Sequence, residues 1–134
     1  MEGSLIDLSK YRFECALEDL DTAKCLLSME KYAASVNRSY YAIFHALRSV
    51  TILESFDSKK HSGVIAYFNS HFVKTGVFNS TISEFVKRAF KIRENADYKD
   101  FFIVSKAEAE EQIKNAEAAM DMIRPYLDRC WNEV

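Results

Sequence analysis

The segment YAASVNRSYYAIFHALRSVTILES, residues 32–55, decides the fold expected for this chain. It carries apolar or aromatic side chains on nearly every face of a helix: Val36, Tyr40, Tyr41, Ile43, Phe44, Leu47, Val50 and Leu53. A helix that is apolar on most of its faces must be surrounded by other elements that exclude water. We therefore expect residues 32–55 to form the central and most buried helix of a bundle.

The preceding residues 5–28 show the pattern of a helix with one apolar face. Apolar side chains recur there with the period of a helix: Phe13, Ala16, Leu17, Leu20, Ala23 and Leu27. The charged side chains between them are expected to form the solvent-exposed face: Glu14, Glu18, Asp19, Asp21 and Lys24. Only residues 29–31 separate this helix from the central one, and so short a link favours antiparallel neighbours.

The next part of the chain carries signals for two further helices. One is expected over residues 62–73, with Gly76 ending it in a left-handed backbone conformation. Thr81 and Glu84 have the capping-box spacing, which predicts a helix from Thr81 to about Ala96. Residues 97–104 are rich in aromatic and β-branched side chains and are expected to form a packed connection.

A long last helix is predicted after a second capping box, Ser105 and Glu108. Its apolar positions alternate steps of four and three: Ala109, Ile113, Ala116, Met120, Ile123, Leu127 and Cys130. Pro125 lies inside this pattern and is expected to bend or end the helix near Arg124, because proline removes a backbone hydrogen bond. The predicted fold class is all-α, an up-and-down antiparallel bundle of four to five helices in one domain, residues 1–134.

Composition limits the function classes that are open to this chain. The formal net charge is −2, so no overall positive field attracts nucleic acid, and any RNA contact must be local. No run of about 18 apolar residues predicts a membrane span, so a soluble protein is expected. Three cysteines without CxxC spacing and the lack of a secretory leader favour a reducing cytoplasm.

A polar stripe interrupts the apolar central helix. Its members are spaced three, four and three residues apart and so share one face: Arg38, Tyr41, His45 and Arg48. Arg38 could hold a phosphate with its guanidinium while His45 exchanges a proton near neutral pH. The alternative is that Arg38 and His45 only satisfy buried carboxylates or carbonyls, with Tyr41 in the core and Arg48 at the solvated end of the stripe.

The run SVNRSYYAIFHA, residues 35–46, resembles the signature helix of HEPN domains, and specifically the small single-domain group labelled UPF0332. Three other stretches are similar to that group in the same order: KHSG at residues 60–63, FNSHFVKTG at residues 68–76 and RENADY at residues 93–98. The resemblance spans about residues 16–123.

The resemblance implies a helical bundle that commonly dimerises, with an Arg-x(4–6)-His motif from each subunit at a shared cleft. It also implies metal-independent RNA cleavage that uses the 2′-hydroxyl as nucleophile, with Arg38 and His45 in the catalytic positions and six residues between them. Supporting positions are Tyr41, Arg48 and Ser39, the last standing where ribonuclease members often have Asn, Asp or His. One His would act as base and its symmetry mate as acid, without metal or cofactor.

The resemblance leaves two other functions open: a partner or regulator of a minimal nucleotidyltransferase, and a module that binds nucleotide without turnover. On the fourth helix, Lys87, Arg88 and Lys91 could contact RNA or could simply be a solvated face. His61 and His71 have no ligand-spaced neighbours, so no metal site is predicted. Ion pairs beside Arg93 are expected for Glu94 and Asp97 rather than acid–base work.

Overall fold

A computed structural model describes residues 2–132, with side chains from residue 5 onward, and every regular element in that range is helical. The five α-helices are α1 (Glu2–Ser28), α2 (Tyr32–Thr51), α3 (His61–Phe68), α4 (Thr81–Tyr98) and α5 (Lys106–Asn132). A 3-10 turn, Ile52–Glu54, follows α2, and a π-helical turn, Asn69–Val73, continues α3. The predicted all-α class is confirmed.

The central position of α2 is confirmed, because α2 packs against α1, α3, α4 and α5. Glu30 adopts a left-handed backbone (φ 61°) in the tight turn between α1 and α2. Hydrogen bonds then join the two helices at both ends: Ser9 Oγ donates to the Ser49 carbonyl, and Ser35 Oγ donates to the Ala23 carbonyl. These pairings, with high numbers opposite low ones, make α1 and α2 antiparallel.

Aromatic side chains pack around the C-terminal part of α5. Trp131 donates its indole N–H to Ser9 Oγ at 2.9 Å and packs edge-on against Phe13. Five residues earlier on α5, Tyr126 packs edge-on against Phe72 and Phe78, which in turn contact Phe68. Burial of rings of this size supplies much of the hydrophobic stabilisation of a small domain.

One of the two predicted capping boxes is wrong and the other is confirmed. Thr81 is the first residue of α4, and its backbone N–H and its hydroxyl both donate to Asn79 Oδ1. The Thr81 N–H is therefore not available to donate to the Glu84 carboxylate. At α5, Ser105 N–H donates to Glu108 at 2.9 Å and Glu108 N–H donates to Ser105 Oγ at 3.0 Å. The reciprocal geometry therefore fixes the start of α5 alone.

Two expectations about chain breakers have opposite outcomes. Gly76 has a φ of 85°, which confirms the left-handed conformation after the third helix. Pro125 does not end α5, which runs on to Asn132, so the expected end of the helix near Arg124 is wrong. Buried Ile123 and Leu127 flank the proline, and their packing outweighs the single hydrogen bond that proline removes.

The segment 97–104 is not the packed connection that its composition predicts. Tyr98 still belongs to α4, and Val104 is buried, but Tyr98, Phe101 and Ile103 are 74%, 100% and 84% exposed. Phe101 has a left-handed backbone (φ 61°) in this connection between α4 and α5. Large apolar side chains held in solvent in this way are typical of an interaction surface.

Candidate functional site

The polar stripe of α2 lies at the edge of the bundle, where α1 and the start of α3 leave one face of α2 partly open. Arg38 is 51% exposed and the His45 side chain is 24% exposed, so both reach solvent. Tyr41 and Arg48 are half-buried beside them. The spacing of three, four and three residues thus places these side chains on one accessible surface, as the helical period requires.

Asp19 of α1 contacts two members of the stripe. Its carboxylate accepts a hydrogen bond from Arg38 Nη1 at 3.0 Å, and its second oxygen lies 3.6 Å from His45 Nε2. The Asp19 side chain is only 12% exposed. The expectation that Asp19 belongs to the solvated face is therefore wrong: it is a buried anion that holds a guanidinium and an imidazole side by side.

The surroundings of His45 favour its neutral form. Burial lowers the pKa of His45, and Arg48, Arg12 and His61 lower it further, which outweighs the opposite effect of Asp19. His45 Nδ1 is buried without a hydrogen-bond partner among the described residues, so this nitrogen cannot exchange a proton with a ligand. The Nε2 edge, too far from Asp19 for a hydrogen bond, is the one that a ligand can reach.

A second carboxylate, Asp57, stands one helical turn further along the stripe. It accepts hydrogen bonds from Arg12 Nη2 at 2.9 Å and from Arg48 Nη2 at 3.2 Å. Burial raises the pKa of Asp57, but the hydrogen bonds from Arg12 and Arg48 outweigh this and lower it overall. Arg48 is therefore a member of an ion-pair network and not merely a solvated end of the stripe.

Aromatic rings pack behind the stripe and connect it to α3 and α4. The His61 ring stacks on Phe44 with 4.0 Å between centroids, and its Nδ1 lies 2.8 Å from the Tyr40 hydroxyl. Arg93 of α4 donates to the Tyr41 hydroxyl at 3.4 Å and pairs with Asp97 at 3.1 Å. The expected ion pair is thus confirmed for Asp97, whereas Glu94 makes none with any described residue. Side chains from four helices therefore meet around the stripe.

The other residues singled out from sequence lie elsewhere. Ser39 is buried, and its hydroxyl has no partner among the described residues, so it does not share the exposed surface. Lys87, Arg88 and Lys91 line a separate groove between α4 and the start of α5, where Arg88 pairs with Glu111 at 3.0 Å. Among the described residues, no group of His, Cys, Asp and Glu could hold a metal ion.

Sequence reasoning missed the role of Asp19, although the sequence contains a signal for it. Asp19 lies three residues after Ala16 and four before Ala23, both buried, which places it inside the apolar stripe of α1. Leu17, assigned to that stripe, is instead 42% exposed. Arg12 could have been found in the same way, since it precedes Asp19 by two helical turns.

Fold and site together define a class of protein: a five-helix bundle whose central helix presents an Arg-x6-His pair. The family model described as HEPN domain matches residues 9–126, and the chain belongs to this family. A UPF0332 protein of Thermotoga maritima is 36% identical over 113 residues, which cover 84% of this chain and 86% of that protein.

Two further relatives come from Methanocaldococcus jannaschii, and both carry names that refer to toxins. The one named "Putative toxin MJ0605" is 34% identical over 114 residues, covering 85% of this chain and 84% of that protein. The one named "Putative toxin MJ0142" is 29% identical over 114 residues, covering 85% of this chain and 78% of that protein. Among the described residues, none of the helices of this chain has the length and apolar character to cross a membrane.

Proposed function

We propose that this protein is a metal-independent endoribonuclease of the toxin type, in which Arg38 and His45 act on the scissile phosphate. The observation that carries the proposal is the shared carboxylate of Asp19, which holds both side chains at one accessible edge of α2. The names of the M. jannaschii relatives support a toxin-type role.

The geometry supports a defined sequence of bond changes. Neutral His45 accepts the proton of an RNA 2′-hydroxyl, and the 2′-oxygen forms a bond to phosphorus while the bond from phosphorus to the 5′-oxygen breaks. Arg38 stabilises the charge that gathers on the phosphate oxygens. The products are a 2′,3′-cyclic phosphate and a 5′-hydroxyl, whose proton comes from the partner's His45 in its protonated form.

This second proton transfer requires a homodimer, which is part of the proposal. Tyr98, Phe101 and Ile103 form an exposed apolar patch that we assign to the second copy of the chain. The patch begins one residue after Asp97, which accepts a hydrogen bond at 3.4 Å from Asn37, the residue before Arg38. A second copy on this patch would bring its own stripe close to the first.

The test is cleavage of single-stranded RNA in EDTA by the wild-type protein and two variants. His45→Gln and Arg38→Gln should each lower the rate by about 10²–10⁴-fold, the usual contribution of a proton-transfer or charge-stabilising group. Lys114→Gln, an exposed cation outside both the stripe and the apolar patch, is the matched control and should keep the wild-type rate. Inactivity over a wide RNA panel, with tight binding of a minimal nucleotidyltransferase, would favour the partner function.

A further inference from the structure

A pocket of about 550 Å³ opens where α2 ends and α3 begins, one helical turn beyond His45. It is lined by Phe44, Arg48, Asp57, Ser58, Lys59 and His61. Arg38 and His45, which act on the scissile phosphate, do not line it. The cleavage step proposed for Arg38 and His45 therefore gives this pocket no role.

Hydrogen-bond donors without a protein acceptor surround this pocket. Lys59 lines the pocket and makes no ion pair with any described residue, and the Arg48 side chain beside it is 24% exposed. The backbone N–H of His61, the first residue of α3, has no acceptor among the described residues. Donors of this kind at the start of a helix, together with a guanidinium and an ammonium, match the oxygens of a phosphate.

His61 is oriented to add one more donor. The Tyr40 hydroxyl is buried and has no other acceptor among the described residues, so it donates to His61 Nδ1. Burial raises the pKa of Tyr40 to about 12, so this proton stays on the hydroxyl at neutral pH. The neutral His61 ring therefore carries its own proton on Nε2, at the opposite edge of the ring.

Asp57 does not prevent an anion from binding in the pocket. Its Oδ2 accepts from Arg12, and its Oδ1 accepts from Arg48 and from the Ser58 backbone N–H at 2.9 Å. Two guanidinium groups thus neutralise this one carboxylate, and Lys59 adds a further positive charge. The local balance is positive although the whole chain is acidic.

We propose that the pocket of Arg48, Lys59 and His61 is a second phosphate subsite, which binds the phosphate next to the scissile one in an RNA strand. The inference rests on the proposed ribonuclease function. Arg48 lies three residues beyond His45, or about 4.5 Å along a helix axis, which is on the scale of the step from one phosphate to the next along a strand. A strand that lies along α2 with its scissile phosphate at His45 therefore presents the next phosphate to Arg48.

The test uses a dinucleotide whose 2′-hydroxyls are methylated, so that binding is measured without cleavage. Calorimetry compares this ligand, which has one internal phosphate, with the same ligand carrying an added terminal phosphate at its 5′ or 3′ end. In the wild-type protein one of the added phosphates should tighten binding about tenfold to hundredfold, as charge-assisted hydrogen bonds do. Lys59→Ala should remove most of this gain, and His61→Gln should remove part of it.

Lys60→Ala is the matched control, because Lys60 is exposed beside Lys59 but does not line the pocket. The subsite is refuted if neither added phosphate tightens binding, or if Lys60→Ala removes as much of the gain as Lys59→Ala. A Lys59-dependent gain in a protein that cuts no RNA would support the subsite and refute the ribonuclease. RNA cleavage without any gain in affinity from an added phosphate would support the ribonuclease and refute the subsite.

Discussion

The carboxylate of Asp19 lies between Arg38 Nη1, at 3.0 Å, and His45 Nε2, at 3.6 Å, and so unites two side chains that are seven residues apart on α2. A buried anion in this position orients the guanidinium by a charge-assisted hydrogen bond. It also favours the protonated imidazole and so moderates the effect of burial on His45. Asp19 is therefore a positioning residue for the proposed site.

Asp19→Asn should lower the pKa of His45 and leave the fold intact. Without the carboxylate, burial and the neighbouring arginines act unopposed, so the pKa of His45 should fall further below its usual value. An NMR titration of the His45 ring measures this pKa, and the pH profile of RNA cleavage should move in the same direction. Glu18→Gln, an exposed carboxylate one residue away, should leave both unchanged. An unaltered His45 titration in Asp19→Asn would show that Asp19 is only structural.

Stability should decrease on acidification through the range in which histidine titrates. The pKa values of His45 and His61 are both lowered in the folded protein, mainly by burial, while the unfolded chain keeps the ordinary value near 6.5. Between these values the unfolded state binds more protons, so lowering the pH favours unfolding.

Urea unfolding should show a decrease in the free energy of unfolding as the pH falls from about 7.5 to about 5, across the ordinary histidine pKa. His45→Gln and His61→Gln together should make the free energy of unfolding less dependent on pH. The exposed His71→Gln controls for the loss of one imidazole. An equal dependence in the double variant and the wild type would contradict the burial of these rings.

The two helix starts predict different mutational costs. Ser105→Ala removes the hydroxyl that accepts from Glu108 N–H and should lower the free energy of unfolding by about 1 kcal/mol. Ser80→Ala should cost less than about 0.5 kcal/mol, because Ser80 precedes α4 without a side-chain capping hydrogen bond. Chemical denaturation measures both, and equal losses would mean that only the position, not the hydrogen bond, matters.

Removing the exposed apolar patch should weaken the dimer without unfolding the chain. Phe101 and Ile103 are almost fully exposed, so Phe101→Ser with Ile103→Ser costs little in a monomer but removes apolar area from an interface. Sedimentation velocity should show a shift toward monomer, with a parallel loss of RNA cleavage. Val77→Ser, an exposed apolar residue outside the patch, should do neither. A variant that keeps the wild-type dimer would place the interface elsewhere.

Periodicity predicted the helices well because burial of an apolar face sets both their positions and their partners. The central helix was expected over residues 32–55 and runs from Tyr32 to Thr51 before tightening into a 3-10 turn. Its polar stripe was also predicted, since the spacing of Arg38 and His45 depends only on the helix period. Local capping was less predictable, because Asn79 accepts from the Thr81 backbone N–H that Glu84 was expected to bind.

The charged partners of the stripe could not be read from spacing in α2. Asp19, Asp57 and His61 come from three other parts of the chain, and only tertiary packing brings them together. Exposure of Phe101 and Ile103 was equally hidden, because an apolar composition predicts burial whether the cover is the same chain or a second copy. The sequence pattern thus predicts the scaffold better than the contacts across it.

The most direct test of the central claim uses a DNA oligonucleotide that contains a single ribonucleotide, incubated with the protein in EDTA. Cleavage should occur only after the ribonucleotide and leave a 2′,3′-cyclic phosphate detectable by mass spectrometry. The His45→Gln variant should be slower by about 10²-fold or more. Cleavage at deoxynucleotides, or an unchanged rate in His45→Gln, would contradict the role given to the Arg38 and His45 pair.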